Sequence, residues 1–123
     1  MNEITLKASK QVRGCIKLPG SKSITNRVLL MAALGSGVTK LIDPLRSEDT
    51  DQMINALIKL GVSVKEVNDD QNSIEIKGAE HNFPNKNTNP FLGNSGTTFR
   101  PLAAVLAMMR GNYHLSGIER MHE

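Results

Sequence analysis

A chain of 123 residues, 39% apolar and carrying a formal net charge of +3, can bury one small core and little more. It has no run of about 18 apolar residues, so no helical membrane span is expected. Its cations are dispersed and its only aromatics are Phe83, Phe91, Phe99 and Tyr113, which argues against a nucleic-acid platform.

The opening Met1-Asn2-Glu3-Ile4-Thr5-Leu6-Lys7 lacks the apolar centre of a secretion signal and the Arg/Ser-rich character of a transit peptide. The expected location is the cytoplasm. Ile4 to Lys7 reads as a short strand. Val12, Gly14 and Ile16 alternate with Arg13, Cys15 and Lys17, giving a second strand candidate. The single Cys15 excludes an intrachain disulfide and any multi-cysteine metal site, and within a strand it reads as an inert, partly buried thiol. His81, His114 and His122 lack ligand spacing, so no metal is expected.

Pro19-Gly20 breaks the alternation, and Ser21 or Ser23 can cap the helix that follows. Val28 to Leu34 is apolar on nearly all sides, which predicts a buried helix ended by Gly35-Ser36-Gly37. Val38 to Ile42 reads as a strand closed by Asp43-Pro44. Ser47 is an N-cap for a second helix, with Glu48, Asp49 and Asp51 favourable in its first turn. Met53, Ala56, Leu57 and Leu60 form its buried stripe, and Gly61 ends it. Val62–Val67 and Ser73–Lys77 form a hairpin across Asn68 to Asn72.

Gly78 to Pro90 is polar, rich in Asn, and reads as an exposed connection, a long loop rather than a domain boundary. Gly93 to Pro101 opens a third helix through about Met109, with Pro101 tolerated in its first turn. Asn112 to Ser116 is the next strand. Arg120 to Glu123 shows no terminal element and reads as a truncation.

Two helix starts resemble each other. Gly20-Ser21-Lys22-Ser23-Ile24-Thr25-Asn26-Arg27 lies over Gly93-Asn94-Ser95-Gly96-Thr97-Thr98-Phe99-Arg100, with Gly first, Thr sixth and Arg eighth in both. The order of elements repeats around them. This predicts an α/β (α+β) fold of repeated β-α-β-α-β-β units, of which the chain holds about one and a half.

The first of these junctions has the makings of an anion site. A helix N-terminus offers unpaired N–H groups and the positive end of the dipole, and Lys22 and Arg27 add full charges. Ser23 and Arg27, four apart, share a face and can hold one phosphate together. Taken singly, Ser23 is an ordinary cap and Arg27 an ordinary surface cation. The loop is not a Walker A motif, since Ser21 separates Gly20 from Lys22 and position 17 is Lys17. Gly93 to Thr97 is either a second anion turn, where Gly96 admits a ligand close to the backbone, or a plain turn and cap. Asp49 reads as a dipole-compensating acid.

Leu18-Pro19-Gly20-Ser21-Lys22-Ser23-Ile24-Thr25-Asn26-Arg27 resembles the N-terminal signature of the 3-phosphoshikimate 1-carboxyvinyltransferase (EPSP synthase) family. Leu92 to Leu102 resembles that family's second signature, and Gly117-Ile118-Glu119-Arg120-Met121-His122-Glu123 its third. The sister UDP-N-acetylglucosamine enolpyruvyl transferases have Asn after the Lys, where this chain has Ser23, and use a loop Cys absent here. They remain an alternative, as does a non-catalytic phosphate-binding module.

The resemblance implies a cofactor-free transferase of the shikimate pathway, which serves aromatic amino acid biosynthesis. It moves the enolpyruvyl group of phosphoenolpyruvate to the 5-hydroxyl of shikimate 3-phosphate and releases phosphate. It further implies that Lys22 contacts both substrates and is the catalytic residue here, that Ser23 and Arg27 hold shikimate 3-phosphate, and that Gly96 and Arg120 bind phosphoenolpyruvate with Asn94 lining that site. Arg100 reads as structural. The family fold is two domains closing on the ligands, with residues 1–20 in the other domain beside the hinge and residues 21–123 an incomplete first domain. A monomer is expected of the complete enzyme, whose family is the target of the herbicide glyphosate. The chain would be its first quarter to third and inactive alone.

Overall fold

The computed structural model describes residues 3–123. Residues 3–20 form no regular element, and Ile4, Leu6, Val12, Ile16 and Leu18 are exposed. The two strands expected here are therefore not formed. A strand needs a partner backbone for its N–H and C=O groups, and among the described residues none pairs with this segment. Cys15 is exposed rather than partly buried.

Order begins at α1 (Lys22–Leu34), whose N-cap is Ser21, with its hydroxyl accepting from the Ile24 N–H at 3.4 Å. Leu29, Leu30, Ala32 and Ala33 of α1 are buried, but Ile24 and Met31 stay 61% and 69% exposed. The helix is thus buried on one side only, and its apolar stripe through Ile24 and Met31 lies open in this chain.

β1 (Val38–Leu41) leads to α2 (Glu48–Lys59). A capping box starts α2: Ser47 Oγ accepts from the Thr50 N–H at 3.4 Å and Thr50 Oγ1 accepts from the Ser47 N–H at 2.9 Å. Such a cap contributes about 1 kcal/mol. Met53, Ala56, Leu57 and Leu60 are buried as their spacing predicts. Gly61 takes φ +91° just past the end, a conformation that suits Gly.

β2 (Ser63–Val67) and β3 (Ser73–Lys77) form the expected hairpin. The sheet order is β1-β3-β2, with β3 antiparallel to both neighbours. Ile74 and Ile76 point from the central strand into the core, while Lys40, Glu75 and Lys65 stand opposite one another on the other face. One face is dry and one is wet, as antiparallel sheets allow. At the hairpin turn, Asp69 accepts from the backbone N–H groups of Gln71 (3.2 Å) and Ser73 (3.1 Å) and pairs with Lys40 at 2.9 Å. Lys40, together with the turn's hydrogen bonds, lowers the Asp69 carboxyl from 3.8 to about 2.

The segment from Gly78 to Pro90 is not simply exposed. The N–H groups of Gly78, Ala79, Glu80 and His81 donate to the carbonyls of Gly37, Ala33, Gly35 and Leu34 at 2.8–3.0 Å. They satisfy the acceptors that the end of α1 leaves free. Asn85 does the same for α2, its N–H reaching Leu60 O and its Nδ2 reaching Lys59 O. Phe83 and Pro90 are buried, and β4 (Asn87–Thr88) pairs in parallel with β5 (Asn112–Tyr113). Between them runs α3 (Gly96–Ala107), with Pro101 in its first turns. A 3-10 turn, Glu119–His122, follows where no element was expected. The observed α1-β1-α2-β2-β3, followed by β4-α3-β5, keeps the helix–strand–helix–strand–strand core of the order read from the sequence, but lacks its opening strand and adds β4 within the segment expected to be loop. The repeat is one position out of step at its caps, which are Ser21 and Ser95.

Candidate anion-binding site

The N-termini of α1, α2 and α3 converge on a cavity of about 370 Å³. It is lined by Lys22, Ser23 and Arg27 of α1, by Asp49 of α2, and by Asn94, Gly96, Thr97, Arg100 and Pro101 at the start of α3. Each helix start leaves its first N–H groups without an intrahelical acceptor. Three positive dipole ends therefore meet three cationic side chains across one opening.

Local folding explains the placement. An added Cβ on Gly20 would lie 2.7 Å from Leu45 N and 3.0 Å from Asp43 O, so only Gly lets the chain press against the 43–45 turn before α1 begins. Thr25 Oγ1 accepts from the Leu45 N–H at 3.1 Å and fixes the same contact from inside the helix. At the other start, Ser95 spends its hydroxyl on Thr98 Oγ1 at 2.7 Å instead of on a helix N–H. Gly96 is the opposite case to Gly20: nothing lies within 4 Å of an added Cβ. Its Cα face borders open cavity, so a ligand can approach the backbone there.

A polar network ties the three starts together. Asn26, 1% exposed, donates through Nδ2 to Thr97 Oγ1 at 3.0 Å and to Thr98 Oγ1 at 3.3 Å. Thr97 Oγ1 donates to Asp49 Oδ2 at 3.2 Å, and Thr98 Oγ1 donates to the Asp49 carbonyl at 3.1 Å. Asp49 Oδ2 also pairs with Lys22 Nζ at 2.8 Å. No ion pair among the described residues engages Arg27 or Arg100. The cavity therefore offers two guanidinium groups and one ammonium against a single carboxylate, a surplus suited to a polyanion.

Of the sequence-derived site residues, Lys22, Ser23, Arg27, Asn94 and Gly96 all line this one cavity. Arg120 does not. It is exposed on the 3-10 turn, which reaches the site only indirectly, through the Ile118 N–H donating to Gly93 O at 3.0 Å. Arg100 lines the cavity beside Gly96.

The model of the family described as EPSP synthase (3-phosphoshikimate 1-carboxyvinyltransferase) matches residues 6–123. The chain belongs to the EPSP synthase family. It is 50% identical over 123 residues to the 3-phosphoshikimate 1-carboxyvinyltransferase of Cupriavidus necator, and 49% identical over 123 residues to that of Cellvibrio japonicus. Each alignment takes in 100% of this chain and 28% of the relative. The solved EPSP synthase of Acinetobacter baumannii superposes with a TM-score of 0.75 at 26% identity, over 86% of this chain and 24% of that one. The chain thus spans just over a quarter of the length of the EPSP synthases it matches.

Asp49 and Arg100 are members of the cavity that the sequence did not disclose as such: Arg100, read as structural, is exposed, enters no ion pair among the described residues and lines the opening, and Asp49 reads in the sequence only as a dipole-compensating acid. The place of Asp49 in the first turn of α2 has a sufficient local explanation, and its partners Lys22 and Thr97 lie on other helices. Phe83 and Asn85 were missed for the same kind of reason. In a polar run they read as solvent-facing, but Phe83 is buried in the core and Asn85 bonds the distant end of α2.

Proposed function

We propose that this chain supplies one wall of the active site of an EPSP synthase that is about three to four times as long, judged by the share of each relative it covers. The reaction is transfer of the enolpyruvyl group from phosphoenolpyruvate to the 5-hydroxyl of shikimate 3-phosphate. The carbon–oxygen bond to the new ether forms, the bond to phosphate breaks, and inorganic phosphate leaves. The observation that carries this reading is the meeting of Lys22, Ser23 and Arg27 with Gly96 around one cationic cavity.

Both substrates are polyanions, so positioning and charge neutralisation must supply much of the rate. Arg27 and Ser23 on one face of α1 hold the phosphate of shikimate 3-phosphate. Lys22 stands between the two helix starts and serves both substrates. Gly96 and Asn94 border phosphoenolpyruvate, and Arg120 joins them once the 3-10 turn is seated by a closing second domain. Residues 3–20, which form no regular element and reach the rest of the chain through Lys17–Asp43 and the Gly20 contact, belong to that second domain in this account; residues 1 and 2 lie outside the described part. Among the described residues no helix is long and apolar enough to cross a membrane, and the proposed setting is a monomeric cytoplasmic enzyme.

The full-length protein, given phosphoenolpyruvate and shikimate 3-phosphate, should release phosphate and form a product heavier by the enolpyruvyl group. UDP-N-acetylglucosamine should not replace shikimate 3-phosphate. Release with the sugar nucleotide, or no release with either acceptor, overturns the proposal.

A further inference from the structure

We propose that Asp49 is a positioning residue that acts through Lys22, holding the ammonium at the mouth of the cavity as its counter-ion until a phosphorylated ligand engages it. The inference rests on the function proposed above and adds a residue to its machinery.

Lys22 is 46% exposed and Asp49 21% exposed, so the carboxylate is the better anchored of the two. A lysine side chain left free would retain rotamer freedom that a ligand would have to overcome on binding. The 2.8 Å contact with Asp49 removes part of that freedom beforehand. The carboxylate is itself aimed. An Asn amide nitrogen can only donate. Thr97 Oγ1 therefore accepts from Asn26 and gives its own proton to Asp49 Oδ2. Thr98 Oγ1 accepts from Asn26 and Ser95 and gives its proton to the Asp49 carbonyl. Thr97 thus donates to the Asp49 carboxylate and Thr98 to its main-chain carbonyl, and the carboxylate's ion-pair partner is Lys22.

Compensation of the α2 dipole does not require this. Glu48 and Asp51 occupy the same first turn and can serve that end. It also gives no reason for the Asp49 carboxylate to reach α1 and α3 at once. The two roles differ in the sign of their consequences. If Asp49 only adds negative charge to a cationic cavity, removing that charge tightens anion binding. If it positions Lys22, removing it weakens binding.

The test is a double-mutant cycle in the full-length protein, reading kcat and KM for phosphoenolpyruvate in wild type, Asp49→Asn, Lys22→Ala and the pair. Asp49→Asn should lower kcat/KM by up to about fivefold, the upper end for a part-exposed ion pair. It should lower it no further once Lys22 is absent. Asp49→Glu keeps the charge at the helix start but displaces the carboxylate by one methylene. It should show the same direction of loss and keeps the test valid if Asp49→Asn folds poorly. Equal losses with and without Lys22, an unaffected Asp49→Glu, or tighter binding by Asp49→Asn would each overturn the inference. A wild type that turns over nothing refutes the proposed function instead. The same cycle is then read on the affinity for inorganic phosphate by calorimetry, with the same expected pattern and the same contrary results.

Discussion

The amide nitrogen of Asn26 on α1 lies 3.0 Å from the hydroxyl oxygen of Thr97 on α3, although 71 positions separate them in the chain. This bond, with its partner to Thr98, sets the spacing between the two helix starts that make the cavity. Asn26 Oδ1 has no partner of its own, so part of what the amide contributes is offset. Asn26→Ala should still destabilise the full-length protein by about 1–3 kcal/mol, because the buried Thr98 and the part-buried Thr97 hydroxyls each lose a donor. A lower urea midpoint at unchanged slope is the expected observation. An unchanged midpoint would show that the network does not bear on stability.

Two glycines at the two helix starts should respond in opposite ways to the same change. Gly96→Ala meets no protein atom within 4 Å, so the fold should lose nothing and can gain up to about 1 kcal/mol from the better helix former. The new methyl enters the cavity, and the KM for phosphoenolpyruvate should rise about tenfold, or some 1.4 kcal/mol. Gly20→Ala instead drives a Cβ to 2.7 Å from backbone that cannot yield easily, and should destabilise by about 1–3 kcal/mol. Thermal melts and steady-state kinetics of the two variants separate the effects. Substrate affinity that survives Gly96→Ala unchanged would remove Gly96 from the site.

Arg27 and Lys22 should divide the substrates between them. Arg27→Lys keeps the charge but loses the planar fork that matches a phosphate. The KM for shikimate 3-phosphate should rise about tenfold, with that for phosphoenolpyruvate within about twofold. Equal effects on both would contradict the assignment of Arg27 to the acceptor's phosphate.

The hairpin turn predicts an acid-sensitive contribution to stability. Asp69 titrates near 2 in the folded chain against 3.8 ordinarily, chiefly because Lys40 and two backbone N–H groups favour its charged form. A depressed carboxyl stabilises the fold above its unfolded value and loses that contribution as pH falls toward its folded value. The stability gap between wild type and Asp69→Asn should therefore be steady above about pH 5 and close between about pH 4 and pH 2. Urea titrations across that range read it directly, and a gap independent of pH would refute the role of Asp69.

Local chemistry was legible in the sequence and long-range partnership was not. The capping Ser47, the stripe from Met53 to Leu60 and Gly61 define α2 by signals that all lie within or beside the helix. The β2–β3 hairpin is equally local. The strands expected at Ile4 and Val12 need a neighbour that local alternation cannot guarantee, and they do not form among residues 3–20. Gly78 to Pro90 looked like loop because its polar groups cap helix ends far away in sequence. In the site, the helix-start residues Lys22, Ser23, Arg27 and Gly96 carry signatures in their own neighbourhoods. Asp49 enters only when α2 is laid against α1 and α3, and Arg120 stays outside the cavity that its motif led us to expect.

The central claim is that two repeated helix starts form one wall for two phosphorylated substrates. A crystal structure of the full-length protein with shikimate 3-phosphate and phosphoenolpyruvate tests it most directly. The account predicts the acceptor's phosphate on Ser23 and Arg27, phosphoenolpyruvate against the Cα of Gly96, and Lys22 Nζ in contact with both. Substrates bound elsewhere, with the cavity between α1 and α3 left empty, would contradict it.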